Sequence, residues 1–281
     1  MAEHIRHDLH RVVARIAAAG YIADGNDMLA SREGVRAPSS LTIPTFARAT
    51  RGSSLQDNDV SAAHGHREVF DRELLAVKEG IVRMGERVAA AIDAAVAALT
   101  THDLVAARAV IAADGSINDA QAQLTSLIVT TIATQSPVAR DLRFLMALAH
   151  VSYELERIGD HAAGVARQVT RVGSESAVGA SSLARMGELA SGLLHGVLRA
   201  LVDLDQERAR RVASGDDEID RLYHAYFDRA LERMRADPSW VDKGAHLLFA
   251  AKDLERIGDR VTNIAEEVVF LATGEIEDLN P

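Results

Sequence analysis

From Arg67 onward, apolar residues return every three or four positions. Leu74, Val77, Ile81, Met84, Val88, Ile92 and Leu99 fall on one stripe, which predicts a helix over 67–100. A second helix is predicted over 102–134, with Gly115 as a candidate break. Ser136-Pro137 reads as a fresh start, with serine as the cap and proline in the first turn. The third helix then runs to about Arg171 on a seam of Phe144, Leu148, Val151, Leu155, Ile158, Ala162 and Val165. After a small polar linker over 173–179 the pattern repeats, predicting helices over 181–204, 207–236 and 238–273. Asp237-Pro238 supplies the same start signal as before. Leu254, Ile257, Val261, Ile264, Val268 and Leu271 keep a strict heptad, which implies close helix-on-helix packing. Short connections between helices make neighbours antiparallel. The expected fold is all-α: a tandem pair of antiparallel three-helix bundles, over 67–173 and 180–275, made by internal duplication.

Residues 1–66 are different. Met1 to Ala19 has the spacing of one short amphipathic helix, with Ile5, Leu9, Val12 and Ile16 on a face. After Gly20 come scattered Gly, Pro and Ser without a sustained period, the composition of a flexible N-terminal extension. His4, His7 and His10 have a spacing that a transition metal could use, although a flexible setting argues against a built site.

The duplication is sharpest in one hexapeptide. Leu155-Glu156-Arg157-Ile158-Gly159-Asp160 returns unchanged as Leu254-Glu255-Arg256-Ile257-Gly258-Asp259. Packing alone tolerates many apolar residues, so an identical repeat of Glu, Arg, Gly and Asp points to a further constraint. On a helix, residues four apart share a face, with Cβ atoms about 5–6 Å apart. Glu156 and Asp160 therefore point together, as do Glu255 and Asp259, and such like-charge pairs destabilise unless a cation answers them. The preceding helix of each half offers facing partners, Asp114 with Asn118 and Asp216 with Asp220. Four oxygen-bearing side chains so arranged suit a hard cation such as Mg²⁺, Mn²⁺, Ca²⁺ or iron. Solvated acidic faces are the competing reading. A mid-helix glycine costs about 1 kcal/mol relative to alanine, so Gly159 and Gly258 imply a close approach by a helix, an ion or a ligand. His161 follows the first hexapeptide but Arg260 takes its place after the second, which makes the histidine a bystander.

Composition narrows the class. Hydrophobic residues make up 48% of the chain but aromatics only 4%, a balance that favours helix bundles over sheets. The net charge of −10 repels nucleic-acid phosphate, so no nucleic-acid partner is expected. The absence of cysteine removes disulfides, thiolate metal sites and cysteine nucleophiles. No apolar run is long enough to span a bilayer and the N-terminus lacks a signal-peptide core, so a cytoplasmic protein is expected, peripheral to a membrane at most. There is no P-loop, no nucleophile elbow and no Glu-x-x-His motif of a di-iron bundle.

At the two hexapeptides, across Pro137 to Arg143 and at Arg260-Val261-Thr262-Asn263-Ile264, the chain resembles the PhoU family, accessory proteins of the bacterial phosphate-specific transport system. The resemblance runs from about Arg67 to Glu275. It implies a cytoplasmic regulator without a catalytic step of its own, which restrains phosphate-starvation signalling by linking the ATPase subunit of the phosphate ABC transporter to a sensor histidine kinase. It also implies multinuclear iron or zinc clusters on the acidic pairs, with manganese or magnesium the further candidates from the oxygen donors, and the regulator is expected to self-associate as a homodimer. Carried to this chain, the metal residues are Asp114, Asn118, Glu156 and Asp160 in one half, and Asp216, Asp220, Glu255 and Asp259 in the other. Asn263 stands where many relatives also have asparagine. Asn118 is not a carboxylate and Gly164 occupies the place equivalent to Asn263, so the first site is expected to be the poorer. The alternative is a metal-dependent hydrolase or a metal-storage bundle.

Overall fold

The computed structural model describes residues 57–172 and 180–280, with side chains from Glu68. The histidine cluster, the linker over 173–179 and the extension as far as residue 56 lie outside the described residues. Described elements are helical throughout, in the order α1 (Asp57–Thr101), α2 (Leu104–Gln135), α3 (Ala139–Val169), α4 (Ala180–Asp203), α5 (Gln206–Ala213), α6 (Asp216–Ala236), a 3-10 turn (Pro238–Trp240) and α7 (Val241–Thr273). None of these helices is long and apolar enough to cross a membrane. Helix α1 begins well before Arg67. No proline interrupts residues 57–66.

Each half closes around the stripes read from the sequence. Val77, Ile81, Met84, Val88 and Ile92 of α1 are buried against Leu148, Val151, Leu155 and Ile158 of α3 in one continuous core. In the second half, Leu183, Met186, Ala190, Leu194 and Val197 of α4 meet Leu247, Leu254, Ile257, Val261 and Ile264 of α7. The duplicated bundles are not separate beads. Among the described helices the most extensive contact joins α3 to α7, and α1 also packs on α4. At the α1–α4 crossing, an added Cβ on Gly85 would sit 2.6 Å from Leu198 Cδ1, and one on Gly187 would sit 2.4 Å from Val96 Cγ2. Each glycine is therefore the hole that receives a knob from the other helix.

Two start and break signals fall elsewhere than expected. Ser136 does not cap α3. With φ of 47° it ends α2, its N–H donating to the Ile132 carbonyl at 3.1 Å, and α3 opens at Ala139 after an extended Val138 without a side-chain cap. Pro137 cannot continue α2, so the serine serves as terminator. Gly115, the candidate break, lies inside an unbroken α2. The break comes in the second half, at Ser214-Gly215, within the helix expected over 207–236. There the Gly215 N–H donates to the Val212 carbonyl at 2.9 Å, and Leu193 of α4 fills the space where a Cβ would lie 2.5 Å away. Asp237 behaves as expected: its carboxylate accepts from the Ser239 N–H at 3.0 Å and Pro238 opens the 3-10 turn that leads into α7.

Candidate metal centre

The break at Ser214-Gly215 makes Asp216 the first residue of α6, and Asp220 follows one turn later on the same face. From α7, Glu255 and Asp259 face them. Oxygens of Asp220, Glu255 and Asp259 lie within 4.8 Å of one another, and among the described residues no other group of acids and histidines converges as closely. Asp216 sits deeper, with 3% of its surface exposed, and neither carboxylate oxygen has a hydrogen-bond partner. One oxygen of Asp220 and one of Glu255 are likewise buried without a hydrogen bond, the latter 3.9 Å from Arg256 Nε. Burial first, then the charges of Asp220, Asp259 and Glu255, push the Asp216 carboxyl up to about 7. Asp220 is raised by burial and by Asp259, and Asp259 by burial and by Glu255. Cations stand only at the rim: Arg256 Nη1 is 3.3 Å from Asp259 Oδ2 and Lys252 Nζ is 2.5 Å from Glu255 Oε1.

Gly258 is what lets Asp216 in. A Cβ there would lie 1.9 Å from Asp216 Oδ1. Its twin Gly159 meets only the Ile117 side chain, at 3.0 Å and beyond. The repeated glycine therefore serves two ends, carboxylate clearance in one half and apolar packing in the other. Gly159→Ala should be neutral or stabilising by up to about 1 kcal/mol, because helix propensity improves while a methyl group yields. Gly258→Ala should gain nothing, since the same propensity is offset by displacement of a buried acid. Thermal unfolding of the two variants checks this, and equal shifts would refute it.

The first half gathers its acids more loosely. Asp114 of α2 has a buried, unpartnered Oδ1, and its carboxyl is raised by burial and by Asp160 against the pull of Arg167. Glu156 is raised by burial, then by Asp160 and Asp114. Arg157 Nη1 lies 3.2 Å from Asp160 Oδ2, the counterpart of Arg256 on Asp259. Asn118 is exposed. Asn263 turns to a different partner, its amide donating to Glu154 Oε2 across the α3–α7 contact at 3.2 Å.

That contact holds residues the sequence reading passed over. Glu154, 2% exposed, accepts from Arg260 Nη1 at 3.3 Å and from Asn263, with His150 Nε2 at 3.5 Å. At the equivalent place in the other half, Asp253 Oδ1 meets His161 Nδ1 at 3.1 Å, and its Oδ2 fills the space beside Gly164, where a Cβ would lie 2.4 Å away. The bystander histidine thus does the work that Arg260 does in the second half. A signal was present: an acid, Glu154 or Asp253, stands directly before each hexapeptide.

Geometry alone defines a class: a twice-built helical bundle whose second and third helices present facing acidic pairs. The profile of the PhoU domain matches residues 81–169 and 183–268, one copy per half. The chain belongs to the PhoU domain family. It is 36% identical over 215 residues to the phosphate-specific transport system accessory protein PhoU homolog of Rhizobium meliloti, covering 75% of this chain and 91% of that one. The Caulobacter vibrioides homolog of the same description is 37% identical over 209 residues, covering 73% and 90%. Among solved structures, the phosphate transport system regulatory protein PhoU from Streptococcus pneumoniae superposes with a TM-score of 0.70 at 31% identity, over 74% of this chain and 99% of that one. PhoU from Pseudomonas aeruginosa gives 0.71 at 31% identity, over 73% and 100%.

Proposed function

We propose that this protein is a cytoplasmic regulator of phosphate uptake that holds the phosphate-starvation response in check when phosphate is plentiful. It does so by contacting the ATPase subunit of a phosphate ABC transporter and a sensor histidine kinase, itself self-associated as a homodimer. Membership of both halves in the PhoU family carries this reading, together with relatives described as accessory or regulatory proteins of phosphate transport. The acidic clusters have the chemistry of cation sites. Their donors are all oxygens, and the second contains a fully buried acid with no partner, which a positive ion would satisfy. Asp216, Asp220, Glu255 and Asp259 would hold such an ion in the second half; Asp114, Glu156 and Asp160, with Asn118 beside them, would do so in the first. The ion would supply structural charge neutralisation, joining the second and third helices of each half.

A hydrolase needs a positioned acid or base beside an enclosed substrate pocket. The small cavity lined by Lys78, Ile81, Val82, Phe144, Leu148, Leu201 and Val202 is apolar and contains none of the acidic pairs. The family membership of both halves favours the regulator over the metal-dependent hydrolase. Deleting the gene and measuring phosphate uptake and starvation-gene expression in phosphate-rich medium tests it. Derepression is expected; unchanged expression together with phosphoesterase turnover by the pure protein would reverse the conclusion. On the metal side, Asp259→Ala should cost more bound metal than Asp160→Ala, since the second cluster has four carboxylates against three and is the more tightly drawn together. Metal analysis of the two purified variants decides it, and equal loss would contradict the ranking.

A further inference from the structure

Both halves carry an arginine on the aspartate of the hexapeptide, Arg157 at 3.2 Å from Asp160 and Arg256 at 3.3 Å from Asp259. Lys252 is different. Its ammonium contacts Glu255 Oε1 at 2.5 Å and lies 5.2 Å from the centre of the Tyr223 ring, which α6 projects beside it. In the first half, the residue at the place of Lys252, three before the hexapeptide glutamate, is Tyr153, so that cluster has no such ammonium. The second cluster thus has a lysine on its hexapeptide glutamate as well as an arginine on its aspartate, whereas the first sets Arg157 against Asp160 and Arg167 against Asp114. The same cluster contains Asp216, 3% exposed, with neither oxygen hydrogen-bonded. A buried acid with no partner points to an ion in the interior of the group, where the Lys252 ammonium at the rim does not bond it.

We propose that Lys252 is a resident counter-ion of the second cluster, which a divalent cation must displace. The inference rests on the cation reading of the acidic groups. An ion shared by Asp220, Glu255 and Asp259 would sit on the same carboxylate that Lys252 contacts, and two positive charges within a few ångströms repel. The Lys252 side chain is 38% exposed, so its four-carbon stem has an open way into solvent. The cluster then has two charge-compensated states, lysine in or metal in. It holds together without metal and takes up metal reversibly, whereas the first half has no ammonium to stand in for the ion.

Chelator-treated full-length protein, wild type and Lys252→Met, is titrated with Mn²⁺ by calorimetry. The variant should bind about tenfold tighter, the order expected when one like charge is removed beside a partly exposed site. In a second measurement on the wild type, an amine-acylating reagent is applied with and without Mn²⁺, and labelling of Lys252 is read by peptide mass spectrometry. Labelling should rise when Mn²⁺ is bound. Mn²⁺ binding with unchanged labelling, or equal affinity in variant and wild type, overturns the counter-ion role and leaves the cation reading standing. Failure of both proteins to bind Mn²⁺ overturns both. If Lys252→Met does not fold, the labelling result alone decides.

Discussion

Stripped of metal, the protein should be less stable at about pH 8 than at about pH 5, and Asp216→Asn should remove most of that difference. In the unfolded chain an aspartate loses its proton near 3.8, while folded Asp216 keeps it to about 7. Between those values the folded state binds more protons than the unfolded state, so stability falls as pH rises. The contribution is greatest below the unfolded value, and the loss is complete above the folded one. Between pH 5 and pH 8 about two pH units of that separation are traversed, which corresponds to about 3 kcal/mol. Asp220 and Asp259 are raised too and act in the same direction. Asparagine keeps the shape of Asp216 without the charge, so the variant should be the more stable protein in chelator at high pH. Metal should not rescue it as it rescues the wild type. Urea unfolding of both proteins at the two pH values checks this, and parallel pH dependences would refute it.

The second large effect lies between the halves. Arg260→Ala should destabilise by about 3 kcal/mol. Breaking a buried ion pair from one side costs about 3–5 kcal/mol, and the Asn263 amide that still donates to Glu154 places this case at the lower end. His161→Ala, at the equivalent position, should cost less than about 1 kcal/mol, because Asp253 is 24% exposed and water can replace the imidazole. Adding Glu154→Gln to Arg260→Ala should recover part of the loss, since a neutral amide tolerates burial better than a lone charge. Equal, small effects of Arg260→Ala and His161→Ala in denaturant titrations would show that the contact does not hold Glu154 as a charge.

Much of the architecture was legible along the chain. The three- and four-residue stripe on α1 and the heptad on α7 are buried almost position for position. The hexapeptide marked which helix faces carry the acids. What periodicity could not reveal is what the neighbouring helix brings. Gly159 and Gly258 are identical in local sequence, yet one faces Ile117 and the other Asp216. Gly115 and Gly215 both invite a break, and only the second sits against a leucine of α4 that occupies its missing side chain. Asn263 continues the face of Glu255 and Asp259 in sequence, but α3 offers it Glu154 first. The same limit concealed Lys252, whose meaning depends on a tyrosine from α6.

The two crossings between the halves share one property. Gly85 receives Leu198, and Gly187 receives Val96; Glu154 takes Arg260, and Asp253 takes His161. In each crossing a residue of the first half meets a residue of the second, and their two counterparts meet in exchange. That reciprocity is the signature of an isologous contact, the kind made by two copies of one chain about a twofold axis. A single ancestral bundle carrying this surface could have paired with itself in the same way, at the mercy of its own concentration. Fusion makes the pairing intramolecular and frees each copy to diverge. The two sides now differ, histidine against arginine, glycine against asparagine and tyrosine against lysine, without loss of a mate.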